Sequence, residues 1–87
     1  MLNLDYDKKF DILYARFPFT GHSYGEESDD GVITFHNISN DSITGIAIYD
    51  FKKRYEKGTL PFLPINIDLS SSNVKSLIYS QQKGTSI

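Results

Sequence analysis

The sequence predicts an α+β fold: a small antiparallel β-meander of four or five strands, with a short helical turn and a C-terminal helix packed on one sheet face. Three observations carry this expectation. Short apolar runs at 2–6, 12–17, 32–38 and 43–51 are separated by polar turn residues. A helix-compatible stretch opens at Asp50 and stops at Gly58. The Ser-rich segment from Ser70 to Ser72 then precedes Val74, Leu77 and Ile78 at helical spacing. At 87 residues the chain reads as one domain, because domains usually run to roughly 100 to 200 residues. Its parts are a meander and helical turn over 1–58, a strap, strand and helix over 59–82, and a flexible tail over 83–87. A chain of this size buries only about 60 to 65% of its unfolded surface, so the core is thin.

Taken in order, Leu2 and Leu4 alternate with Asn3 and Asp5 as in a half-buried strand, and Asp7-Lys8-Lys9 is the polar connection that follows. In the next run Leu13, Ala15 and Phe17 share one side while Ile12, Tyr14 and Arg16 share the other. Neither side is wholly polar, which predicts a central strand covered on both faces. Pro18 ends regular pairing, and the stretch from Gly21 through the acids after Gly25 is a loop or an irregular edge segment. Over 32–38 the alternation assigns Ile33 and Phe35 to the helix-covered face with Leu13, Phe17, Ile46 and Ile48. It assigns Val32, Thr34 and His36 to the opposite side.

Ser39-Asn40-Asp41-Ser42 is a polar hairpin connection, and Gly45 in the return strand suits a bulge or a close backbone approach. Asp50 is the expected cap of the helical turn and Gly58 its left-handed stop. Pro61 and Pro64 make 60–64 an extended strap, with Ile65, Ile67 and Leu69 continuing it as a strand. The final helix presents Val74, Leu77, Ile78 and Gln81 to the sheet.

Composition narrows the chemistry. There is no cysteine, which removes disulfides, thiolate catalysis and Cys-based zinc sites and is compatible with a cytoplasmic location. The N-terminus has acids where a signal peptide has a basic region, and no apolar run nears the roughly 20 residues of a membrane span; the expectation is a soluble cytoplasmic protein with no membrane contact. Eleven Asp and Glu against nine Lys and Arg leave a net charge of −2. That balance argues against a dedicated nucleic-acid binder, whose affinity scales with the phosphates it neutralises.

Three sequence stretches carry a specific combination. Tyr6-Asp7 is followed by Asp11, Leu13-Tyr14 and Arg16; Asp30-Gly31-Val32-Ile33 closes an acidic segment; and Gly45-Ile46-Ala47-Ile48-Tyr49-Asp50 ends a strand. In these features residues 4–57 resemble the DUF2283 family of small bacterial and phage domains. The resemblance implies a small sheet with a helix against it. It implies no site, since the family has no established activity, and from Thr59 onward the chain departs from the family's short members.

No constellation asks for catalysis or a cofactor. His22 and His36 would need Glu26, Asp29 or Asp30 to converge on a metal, without ligand spacing that requires it. Glu26 to Asp30 lacks the alternating ligands and terminal bidentate Glu of a calcium loop. No nucleophile elbow is present, and Asp5, Asp7 and Asp11 flank a turn where their simplest role is to bound the hairpin. The expected function is therefore a non-enzymatic interaction domain. Its predicted contact face comprises Tyr14, Thr34, His36 and Tyr49, flanked by Ile12 and Ala47. This face, or a free sheet edge, would serve a second copy in a homodimer or another protein partner; the alternative is that the Pro-rich strap or the acidic loop covers it within the monomer. A second reading is weak nucleic-acid or anion contact through Lys52, Lys53, Arg54 and Lys57, with a solvated helix face as its plainer counterpart.

Overall fold

Period-two alternation and short polar connections build five strands in the computed structural model, which describes residues 2–79. They are β1 (Asn3–Asp7), β2 (Ile12–Arg16), β3 (Ser23–Glu27), β4 (Val32–Asn37) and β5 (Ile43–Tyr49), followed by helices α1 (Phe51–Lys57) and α2 (Ser72–Tyr79). The turns follow from side chains that accept backbone N–H groups. Asp7 Oδ1 accepts from Lys9 N at 2.9 Å and Phe10 N at 3.1 Å, closing the first hairpin. Asn37 and Asn40 do the same for Ser39 and Ser42 at the tip of the β4–β5 hairpin, where the sequence placed it.

All pairings are antiparallel and the strand order is β1-β2-β5-β4-β3. The α+β class stands, with five strands, the helical turn and the C-terminal helix; within it the order departs from a simple meander. Segment 17–22 leaves β2 and reaches the opposite edge, so that β5 lies between β2 and β4. The physical reason is burial. Among the five strands only β5 is buried at four successive positions, Gly45 to Ile48. Ile46 and Ile48 face the core, and the small Gly45 and Ala47 are shielded by larger neighbours on β2 and β4, which requires a strand on each side. At Gly45 a Cβ would stand 2.7 Å from the Ala15 carbonyl oxygen, and a register shift follows between Phe35 and His36, so both uses expected of this glycine are realised. The 23–27 segment is a regular edge strand, exposed at every position.

Register decides which side chains form the core. Leu13 and Val32 both oppose Ile48, Ala15 opposes Ile46, and Leu4 and Tyr6 oppose Ala15 and Leu13. These residues share one face. Phe51, Val74 and Ile78 complete the core from the helices, with Leu63, Ile65, Ile67 and Leu69 packed against it. These last four alternate with exposed residues yet form no strand. Pro61 and Pro64 remove N–H donors, and the segment crosses the sheet face as packing material in place of extending an edge. The covering layer ends beyond Val32, leaving β3 and the adjacent part of β4 outside the core.

The helix caps divide between expected and unexpected. Gly58 adopts the left-handed conformation at φ 69°, and Thr59 N–H returns to the Arg54 carbonyl at 3.0 Å, as foreseen. Asp50 does not cap α1. Its own backbone is left-handed, at φ 54°, and its side chain makes no cap bond, whereas a capping side chain needs an extended backbone to reach N2 or N3. Asp11 supplies the cap from the first hairpin: its carbonyl accepts Phe51 N–H at 3.1 Å, and its carboxylate accepts Lys52 N–H at 2.7 Å and Lys53 N–H at 3.4 Å. At α2, Ser71 Oγ accepts Val74 N–H at 3.3 Å, with Val74 and Ile78 buried and Leu77 half-buried. The helical position expected at Gln81 and the tail over 83–87 lie outside the described residues. Among the described residues no helix is long and apolar enough to cross a membrane.

Candidate interaction surface

The sheet face opposite the helices is built by the same register. Ile12 opposes Tyr49, Tyr14 and Ile33 both oppose Ala47, and Phe35 opposes Gly45. Ile12, Tyr14, Ile33, Phe35, Ala47 and Tyr49 therefore share this face. Ala47, at its centre between the larger Tyr14 and Ile33, is 1% exposed, while the other five are half-buried. The strap, which was one candidate cover, packs on the other side of the sheet.

The predicted contact face is thus divided. Tyr14 and Tyr49 lie on the open face; Thr34 and His36 point to the opposite side, because Val32 pairs with Ile48 and carries the even-numbered residues of β4 toward the helical layer. Ile33 and Phe35 take their places, which corrects the expected β4 assignment and makes the open face more apolar. Its margins are polar: Asp5 and Asp7 face this way from β1, and Ser23 and Glu27 from β3. Arg16 closes one end, its guanidinium 5.0 Å from the Tyr14 ring centre.

His36 has a different setting. Its ring stacks on Tyr24 at 5.2 Å, Nε2 lies 3.2 Å from Glu26 Oε1, and Nδ1 lies 3.0 Å from the Asp41 carbonyl. Tyr24 donates its hydroxyl to the Asp41 carboxylate at 2.8 Å, and that bond, with some burial, raises the phenol above its ordinary value. The cluster ties β3 to the β4–β5 turn. Of the other acids, Asp11 is committed to the α1 cap and to the Tyr6 hydroxyl, which donates to it at 2.6 Å. Among the described residues no group of three His, Cys, Asp or Glu converges in a metal-binding arrangement.

Successive positions on a helix point about 100° apart, and the basic segment is dispersed accordingly. Lys52 places its ammonium 5.2 Å from the Tyr79 ring centre, and Arg54 donates to the Asp30 carbonyl at 2.5 Å. Gly31, at φ 82°, makes room for that guanidinium, since a Cβ there would stand 2.8 Å from Arg54 Nη2. Lys53 and Lys57 are exposed.

Sequence reasoning missed the open-face roles of Ile33 and Phe35 and the reach of Asp11. For Asp11 no local signal exists, since its partners stand 41 and 42 residues away. Comparison with family models, with curated proteins and with solved structures finds no match for this chain.

Proposed function

We propose that this chain is a small non-enzymatic protein-interaction domain that self-associates, a second copy covering its open sheet face. The observation that carries the reading is that face itself, with an apolar centre of Ile12, Tyr14, Ile33, Phe35, Ala47 and Tyr49 inside a polar margin, the anatomy of a protein interface. Area supports the choice of occupant. Five strands spaced about 4.8 Å apart and about 20 Å long offer roughly 500 Å² per copy, and roughly 1,000 Å² for a pair reaches the lower bound of a specific interface. The free edges are poorer candidates. Asp5 and Asp7 on β1, and Glu26 and Glu27 on β3, would set like charges against each other in edge pairing. A cytoplasmic location and membership of the DUF2283 family belong to the same proposal, supported by the absence of cysteine and by the motifs in 4–57.

The test is native mass spectrometry beside thermal unfolding. Wild type is expected as a dimer at micromolar concentration, and Tyr14→Glu as a monomer whose melting temperature, at a concentration where wild type is also monomeric, is nearly unchanged. A monomeric wild type sinks the reading, and so does a Tyr14→Glu variant that stays dimeric. Because both edge strands are acidic, aligned stacking brings carboxylates toward carboxylates whichever way round the copies lie, so added salt should tighten the dimer.

The exposure of Lys53 and Lys57 favours one second reading, weak nucleic-acid or anion contact through Lys52, Lys53, Arg54 and Lys57. It predicts the opposite salt response: binding of a random single-stranded oligonucleotide weakens with salt, each phosphate contact contributing a slope of about −0.7. Lys53→Glu should abolish that binding, and no binding at low salt removes the reading.

A further inference from the structure

We infer that the depression at the Arg16 end of the open face binds a small organic monoanion with a flat apolar body, an aromatic carboxylate being the class that fits. The depression measures about 400 Å³, within the range of small-ligand sites. Its walls are Phe17, Phe19 and Phe35; Phe35 also belongs to the face proposed to take a second copy, so ligand and second copy compete for it. Phe17 and Phe19 remain 39% exposed, so apolar ring surface is available to a ligand. Two glycines shape the space. The Phe19 ring rests on Gly21, where a Cβ would stand 2.7 Å from Cζ; at Gly45 the backbone lies against Ala15 so closely that no side chain fits.

The polar groups select the charge. In a chain with eleven acids and nine Lys and Arg, no carboxylate lines this depression, and its ionisable groups are Arg16 and His22. Arg16 forms no ion pair among the described residues; its guanidinium lies against the Tyr14 ring. Stacking engages the face of a guanidinium and leaves its N–H edge for an oxyanion, which it can grip with two parallel hydrogen bonds. Ser23 Oγ and Thr44 Oγ1 lie 2.9 Å apart at the same site. One hydroxyl proton joins this pair, and the other remains for an incoming acceptor. One fixed positive charge, from Arg16, matches a monoanionic carboxylate better than a dianionic phosphate.

Titration of the isotope-labelled full chain, followed by amide NMR, tests the assignment with benzoate, benzamide, phenyl phosphate and inorganic phosphate as probes. Benzoate is expected to bind saturably with a Kd of about 1 to 10 mM and to shift amides in 16–23, at Phe35 and at 44–45. Benzamide should bind roughly tenfold more weakly, and Arg16→Gln should weaken benzoate roughly tenfold while leaving benzamide unchanged. Gly21→Ala, which pushes the Phe19 ring aside, should weaken both. Absence of saturable shifts from benzoate, or shifts confined to other residues, overturns the site. Inorganic phosphate binding as tightly as benzoate overturns the role of the rings, and phenyl phosphate binding more tightly than benzoate overturns the carboxylate assignment.

Discussion

Replacing Asp11 with alanine is expected to destabilise the fold by about 2 to 3 kcal/mol, a fall in melting temperature of roughly 10 to 20 °C. The substitution leaves the N–H groups of Lys52 and Lys53 without their acceptor and removes the partner of the Tyr6 hydroxyl. It also replaces the residue whose left-handed backbone, at φ 58°, closes the first hairpin, a conformation alanine adopts at a cost. Asp11→Asn, which tolerates that backbone and keeps one acceptor oxygen, should recover about half of the loss. The pH response separates the charge from the shape. Burial alone would raise the Asp11 carboxyl; hydrogen bonds from the Tyr6 hydroxyl and the Lys52 and Lys53 amides, with the Lys53 charge, outweigh it and hold the group below its ordinary value. A depressed carboxyl contributes fully above its unfolded value of about 3.9 and ceases to contribute as pH falls from there through the folded value. The gap between wild type and Asp11→Asn should therefore narrow in acid. Burial and the bond to Asp11 raise the Tyr6 phenol, so its contribution is present below the phenol's ordinary value of about 10 and is lost as pH rises beyond it toward the folded value. A variant that melts within a degree or two of wild type would show that α1 does not depend on this cap.

Phe51→Ala should be the more damaging substitution, at about 3 to 5 kcal/mol. The side chain is 0% exposed and belongs to the single cluster that joins sheet to helices. Its ring meets Tyr6 edge-on at 6.4 Å and Tyr55 at 5.9 Å, and Tyr55 in turn meets Tyr79 of α2 at 6.5 Å. Alanine leaves a cavity at the junction of β1, α1 and α2. A domain of this length has a total stability of roughly 4 to 13 kcal/mol, so much of the margin would disappear. Urea unfolding measures this as a lower midpoint with an unchanged slope, and Phe51→Leu should retain most of the stability. The two sites adjoin, since Phe51 N–H donates to the Asp11 carbonyl. The double variant should therefore lose less than the sum of the single losses. Full additivity would separate cap from core.

How far the fold was legible depended on whether the deciding interaction was local. The faces of Leu13 and Ala15 in β2 and of β5 were readable because alternation is set within the strand, and the Gly58 stop and the Val74–Ile78 spacing are set within one turn. The run from Ile12 to Phe17 is nevertheless not the doubly covered central strand expected of it, since β5 takes the middle and Phe17 stays 39% exposed outside the core. In β4 both alternating sets contain large or branched apolar residues, Val32 on one side and Ile33 and Phe35 on the other. Periodicity could not choose between them; the pairing of Val32 with Ile48, sixteen positions along the chain, did. The choice that looked less apolar prevailed because the helical layer ends beyond Val32, so that Thr34 and His36 need no apolar cover. The candidate surface was legible in Tyr14 and Tyr49 and illegible in Ile33 and Phe35 for the same reason. The strand order was hidden as well, because segment 17–22 gives no local sign of which edge it reaches.

One consequence of the central position of β5 concerns what happens when the N-terminal hairpin detaches. Ile43 to Tyr49 contains no charge and no proline, and is dominated by isoleucine, threonine and tyrosine, the composition of an amyloid-forming heptad. In the folded chain both of its ladders are occupied, by β2 on one side and β4 on the other. Peeling away β1 and β2 would expose the β2-facing ladder to any other chain in the same state. Asp41 and Asp50, which bracket the segment, stand where gatekeeper charges stand in other proteins. The hairpin thus sheathes that ladder, and variants that loosen β2 are expected to aggregate faster than wild type.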